Sequence, residues 1–213
     1  MRKIWIFGLV GVLAVVLAGC GGGSSDPVIV VRDILSMGGA DDGDIGRDAL
    51  GVYTVFTSAD PPNTVVVSDA PADSHRGFFS FSIPAALTDP GISIQRATIF
   101  LPILRATPVI GVSSVGLLVD MVSFPPLDTL ATQLQRDAVY FTTPILLGPS
   151  VSVFPGDAGA DILIDATDAF LEARSLGFST LQVRVIAVSG DVVIDDLLDA
   201  NGNGTPFLRV RYF

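Results

Sequence analysis

The sequence predicts an all-β fold, a single β-sandwich or jelly roll of short antiparallel strands with one or two short helices. Three observations point to it. Several segments alternate apolar with polar or small residues, the period of a strand with one buried face. Fourteen Pro and 22 Gly punctuate those segments at Pro61-Pro62, Asp89-Pro90-Gly91, Pro125-Pro126 and Pro155-Gly156-Asp157. Beyond the first residues the chain has no Lys, and its acids are all Asp except Glu172. Lys and Glu favour helices whereas Asp favours turns, so this is a strand-and-turn composition.

The chain opens with Met1-Arg2-Lys3 and an apolar run from Ile4 to Leu17 broken only by Gly8 and Gly11. This pattern reads as a secretory signal over residues 1–19. A 14-residue run at about 1.5 Å per residue reaches only about 21 Å, short of a bilayer core, so it does not read as a permanent span. The run ends in Leu17-Ala18-Gly19-Cys20, which resembles the bacterial lipobox. That resemblance implies cleavage before Cys20 and a diacylglycerol on its sulfur. Cys20 is the single cysteine, so no internal disulfide competes for it. Residues 20–26 then read as the lipidated cysteine and a Gly/Ser tether, and residues 27–213 as one domain. Lipid anchoring places the protein in the bacterial envelope, the outer membrane being favoured because Gly21 lacks the acidic character of an inner-membrane retention signal.

Within the domain, Phe79, Phe81 and Ile83 share one face of Arg76–Ile83, with Phe78, Ser80 and Ser82 on the other. Ala97, Ile99, Leu101 and Ile103 line one face of Arg96–Leu104. Leu181, Val183, Val185 and Ala187 do the same, as do Leu208, Val210 and Tyr212. Weaker strands are expected over Val28–Arg32, Val52–Thr57, Thr64–Val67, Leu117–Val122, Val151–Phe154 and Asp161–Ile164. Thr167 or Asp168 is expected to cap a short helix through Phe170, Leu171 and Arg174, with Gly177 past its end. Leu127, Leu130 and Leu134 are spaced for a further helical turn or two.

From Arg76 onward the order of segments resembles the DNRLRE-type domain, a carbohydrate-binding-module-like β-sandwich. The matching stretches are Arg76-Gly77-Phe78-Phe79-Ser80-Phe81, Ile94-Gln95-Arg96-Ala97-Thr98-Ile99-Phe100-Leu101, Asp165-Ala166-Thr167, Thr180-Leu181-Gln182-Val183-Arg184 and Thr205-Pro206-Phe207-Leu208-Arg209-Val210-Arg211-Tyr212. The resemblance implies a sandwich and glycan binding. Ala166 stands where the family has Val, and the only tryptophan, Trp5, lies in the signal. An aromatic sugar platform would therefore have to use Phe or Tyr.

The charge excludes nucleic acid as a partner. Without Arg2 and Lys3, 10 basic residues face 22 acidic ones, a net charge of about −12, with no basic patch to displace counterions. Expected partners are the membrane, through lipid on Cys20, and a polysaccharide or an envelope protein. His75, the only histidine, sits in Asp73-Ser74-His75-Arg76; adjacent residues of an extended chain face opposite ways, so Ser74 and His75 do not form a nucleophile–base pair. No Gly-x-Ser-x-Gly elbow is present, and among many Asp no motif selects a glycosidase pair. The expected function is non-enzymatic, structural, adhesive or glycan-binding; the alternatives are a calcium-dependent glycan-binding accessory module and, more remotely, a hydrolase. Calcium is the one cofactor the residues invite. Asp199-Ala200-Asn201-Gly202-Asn203-Gly204 matches the first half of a D-x-[DN]-x-[DN]-G loop, which makes Asp199, Asn201 and Asn203 candidate ligands. Asp41, Asp42 and Asp44 form a second candidate set.

Overall fold

The computed structural model describes residues 27–59, 61–197 and 204–213. Cys20 and the candidate ligands Asp199, Asn201 and Asn203 lie outside the described residues. The chain forms an all-β sandwich of twelve strands with three short helices among the described residues.

The smaller sheet runs in the order β1 (Val30–Leu35), β12 (Phe207–Tyr212), β6 (Ile94–Pro108) and β9 (Asp161–Asp165), all antiparallel. The larger sheet continues from β6 through β11 (Gly190–Asp195), β4 (Thr64–Ala70), β5 (Asp73–Ser82), β10 (Thr180–Val188), β7 (Val115–Met121) and β8 (Ser150–Val153). Two more strands, β2 (Gly43–Asp48) and β3 (Tyr53–Thr57), are attached to it through β5. The 15-residue β6 thus serves both sheets. Its first half pairs with β12 and β9, and its second half with β11. The register slips between Val193 and Ile194 of β11, which oppose Arg105 and Ile103 and leave Leu104 as a bulge. A bulge bends and twists a strand, the local device that lets one strand pass from sheet to sheet.

The alternating positions of the strong strands meet between the sheets. Ala97, Ile99, Leu101 and Ile103 of β6 and Leu208 and Val210 of β12 pack with Phe79 and Phe81 of β5 and Leu181, Val183 and Val185 of β10. Helix α3 (Thr167–Ser175) adds Phe170 and Ala173 to this core. Phe78, expected on the polar face, is fully buried as well. It belongs to a second apolar cluster on the outer face of the larger sheet, with Ile45, Tyr53, Phe124, Leu127, Leu130, Val139 and Tyr140. That cluster is roofed by the 126–140 segment. The expected leucine helix resolves there into a 3-10 turn over Leu127–Thr129 and a separate helix α2 (Gln133–Tyr140). Thr132 accepts from the Gln135 amide and Gln135 answers the Thr132 amide, a capping box that starts a new helix. Leu134 consequently points to solvent. The short helix α1 (Ala85–Thr88) closes the turn after β5. No described helix is long and apolar enough to cross a membrane.

Candidate functional site

The acidic segment at residues 41–44 leads into a strand. Asp42 is fully buried and accepts backbone N–H bonds from Ser80 (Oδ1, 2.8 Å) and Gly38 (Oδ2, 3.0 Å). Asp44, two residues on in β2, accepts from the Val66 amide (3.0 Å) and faces His75 Nδ1 at 2.6 Å. Asp41 lies in the turn itself, and its carbonyl takes a hydrogen bond from the Ser80 hydroxyl. The three aspartates therefore do not converge on one ion. Among the described residues no group of three or more Asp, Glu, His or Cys is placed to hold a metal. Burial and the charge of Asp196 push the Asp42 carboxyl up to about 7, and burial pushes Asp196 up to about 6.

His75 is in β5 directly across from Gly46 of β2. Its ring covers Gly46 so closely that a Cβ there would stand 2.7 Å from the imidazole, which is why the position carries glycine. Nδ1 meets Asp44 and Nε2 meets Asp73 at 3.0 Å, while Phe56 stacks on the ring at 5.7 Å. Burial lowers the His75 pKa, but the hydrogen bonds and charges of Asp44 and Asp73 outweigh it and hold it above the ordinary histidine range. Both ring nitrogens face carboxylates, so neither is free to take a proton from a hydroxyl. Ser74 turns the other way, its hydroxyl 2.8 Å from the Tyr140 hydroxyl.

That opposite side of β2 and β5 carries the most ligand-like arrangement. Arg47 of β2 lies opposite Ser74, and Arg76 lies two residues further along β5. Helix α2 is clamped over them: Gln133 exchanges hydrogen bonds with the Tyr53 backbone, Arg136 donates to the Tyr53 carbonyl, and Tyr53 donates to Asp137. The C-terminal end of α2 then presents Tyr140 and Phe141. The Arg76 guanidinium sits 4.1 Å from the Tyr140 ring centroid and 4.9 Å from that of Phe141, and donates to the Tyr140 carbonyl. Arg47 lies 6.0 Å from the Phe141 ring. Cations at this end complement the helix dipole and its free carbonyls. Arg184 contributes there too, but it is neutralised by Asp120 at 2.8 Å. Among the described residues no carboxylate comes within ion-pair distance of Arg47 or Arg76. Arg47 Nε is buried with no hydrogen-bond partner. A cavity of about 250 Å³ opens between these arginines, Ser74, Asp69 and the Phe141 ring, which is 53% exposed.

A second surface is the outer face of the smaller sheet. Leu35, Phe207, Phe100 and Leu163 stand opposite one another across four consecutive strands. Leu35 and Leu163 are 47% and 55% exposed. Phe100 and Phe207 stack on each other at 4.3 Å with 9° between their planes, so their inner faces are consumed by each other. Arg209 lies near both rings and is held bidentately by Asp33, with both contacts at 2.7 Å. A larger cleft of about 410 Å³ beside Met121, Leu146 and Ala169 is walled mainly by core side chains, and Asp165 at its rim is tied to Thr167.

The arginine cleft was not marked by any motif. Arg76 appears in the family-like strand, whereas Arg47, Tyr140 and Phe141 belong to segments whose meeting depends on β2 and α2. The one available signal was scarcity, since each arginine stands out in a chain this acidic. No family model and no curated protein matches this sequence.

Proposed function

We propose that this protein is a lipid-anchored envelope protein, held through Cys20 in the outer membrane, whose sandwich binds glycan without catalysis at the Arg47–Arg76–Phe141 cleft. The observation that carries the reading is a pair of guanidiniums without carboxylate partners beside an exposed ring, in a chain of net charge −10. An uncompensated, partly buried arginine favours an anionic partner, and a carboxylate or sulfate fits its fork. An exposed aromatic face beside such donors suits the apolar face of a sugar ring. The cleft is small, so it accommodates one ring of a chain rather than a deep ligand. Acidic polysaccharides are thus favoured over neutral ones. The resemblance to the DNRLRE-type domain supports glycan binding, and the lipobox-like Leu17-Ala18-Gly19-Cys20 supports the anchor.

A second reading rests on the Leu35–Phe207–Phe100–Leu163 row, an exposed apolar strip suited to an envelope protein. Native gels cast with acidic and neutral polysaccharides distinguish the two, using a fragment of residues 26–213. The expected outcome is retardation by an acidic glycan that Arg47→Ala and Phe141→Ala abolish while circular dichroism is unchanged. Retardation by no glycan would reject the cleft reading and favour the apolar row.

A further inference from the structure

Asp42 and Asp196 come from distant parts of the chain, and both are buried close enough for the charge of Asp196 to raise the Asp42 pKa. Asp42 is fully buried and Asp196 is 8% exposed. The Ser36 hydroxyl, just after β1, donates to Asp196 Oδ1 at 3.3 Å and lies near enough to Asp42 to favour its charged form. A hydroxyl has one proton, so it can satisfy only one of two carboxylates. The Ser58 hydroxyl lies beside Asp196, and the Ser58 amide donates to the Asp42 carbonyl at 2.9 Å. Asp196 Oδ2 is buried with no hydrogen-bond partner. Each Asp42 oxygen accepts one amide N–H, which leaves each a further lone pair. No Arg or His among the described residues forms an ion pair with either carboxylate.

Four oxygen-bearing side chains therefore gather with surplus acceptors and, among the described residues, no cationic side chain paired with them. A buried carboxylate is relieved by a proton, by a cationic partner or by a metal, and an orphaned buried acceptor carries its full desolvation cost. The donor set is hard oxygen throughout, without sulfur or imidazole. That selects calcium over the transition metals, and calcium's flexible coordination of six to eight oxygens tolerates hydroxyls, carbonyls and water as remaining ligands. We propose that Asp42 and Asp196, with the Ser36 and Ser58 hydroxyl oxygens, bind one calcium ion that pins the β1–β2 connection to the end of β11. The Asp196 Oδ2 atom, buried without a hydrogen-bond partner, is the acceptor that the ion would engage. This site is separate from the arginine cleft and does not depend on glycan binding.

The test uses the full chain in detergent, stripped with EDTA and titrated with calcium chloride by calorimetry and by thermal unfolding. The expected result is one ion per chain and a melting temperature raised by about 5 °C or more at saturating calcium, as a ligand bound only to the native state requires. Asp196→Asn should weaken binding at least tenfold with far-UV circular dichroism retained. Asp42 also holds two backbone amides, so Ser36→Ala serves as the second probe and should weaken binding in the same direction. Absence of binding heat together with equal melting temperatures in calcium and EDTA would overturn the proposal. Wild-type affinity in both Asp196→Asn and Ser36→Ala would overturn it too, by placing the ion elsewhere.

Discussion

His75 lies between two carboxylates, over Gly46 and under Phe56, and this placement makes its charge a folding variable. The sequence presents it in a string of polar residues, Asp73-Ser74-His75-Arg76, and reads as the edge of a loop. In the structure the same residues begin β5, because β2 supplies a partner strand and Asp44 supplies the buried acceptor. Neither is legible locally, since β2 itself is Gly43-Asp44-Ile45-Gly46-Arg47-Asp48, a composition of turns. Its aspartates take up amides and imidazole, and its Gly46 makes room for a ring, so tertiary contacts override a poor strand propensity. The His75 pKa is held above its ordinary value. The stabilisation from its charged form is complete below the unfolded value of about 6.5 and is lost as pH rises through the folded value. His75→Gln should remove that dependence, leaving a melting temperature that varies less than wild type's between pH 6 and 9. It should also cost roughly 1–3 kcal/mol at pH 6, because Asp44 keeps its burial and loses a charged partner. An equally pH-dependent variant would show that other groups set the slope.

The junction of β9 and α3 shows what a short motif can and cannot specify. Asp165-Ala166-Thr167 marks a strand-to-helix turn in the sequence, and Asp165 does accept from both the amide (3.0 Å) and the hydroxyl (2.6 Å) of Thr167. The expected helix cap is absent: α3 starts at Thr167, with Ala166 at the cap position and no side-chain cap bond. Thr167 instead accepts from the Ala97 amide of β6 at 3.1 Å, so its oxygen ties the helix to the sheet. Its partner strand was beyond the motif's reach. Asp165→Ala should lower the melting temperature by a few degrees, matching roughly 1 kcal/mol of lost hydrogen bonding in a domain of this size. The Thr167 contacts hold the Asp165 pKa below the usual carboxylate range, so its contribution is present at neutral pH and lost as pH falls through the folded value, below about 4. A variant with wild-type melting at pH 7 would remove the junction from the list of stabilising contacts. Strands with a clear two-residue period, β6, β10 and β12, were legible for a related reason: one face must be apolar to reach the core; β5 was legible through Phe79 and Phe81, although its other face is buried as well. β11 was not, because its six residues are bounded by Gly190 and Asp195 and resemble the connections around them.

At the scale of the whole molecule the sandwich followed from many short alternating segments, but the way its sheets join did not. That join is β6, which pairs with β12 and β9 before its bulge and with β11 after it. Leu101, fully buried near that passage, belongs to the core shared by both sheets. Leu101→Ala should destabilise the domain by about 2–5 kcal/mol through the cavity it leaves. Unfolding should remain one transition, with far-UV dichroism and near-UV tyrosine signals lost together; separate transitions would mean that the sheets fold independently. The other joint is β1 against β12, where Val30 stands opposite Tyr212 and Leu35 opposite Phe207. The chain thus enters and leaves at the same end of one antiparallel strand pair. A load applied between those two ends does not shear the six paired positions at once but opens them one after another, like a zipper. The small sheet would yield at its edge under modest tension while the β5–β10–β7 side kept its shape.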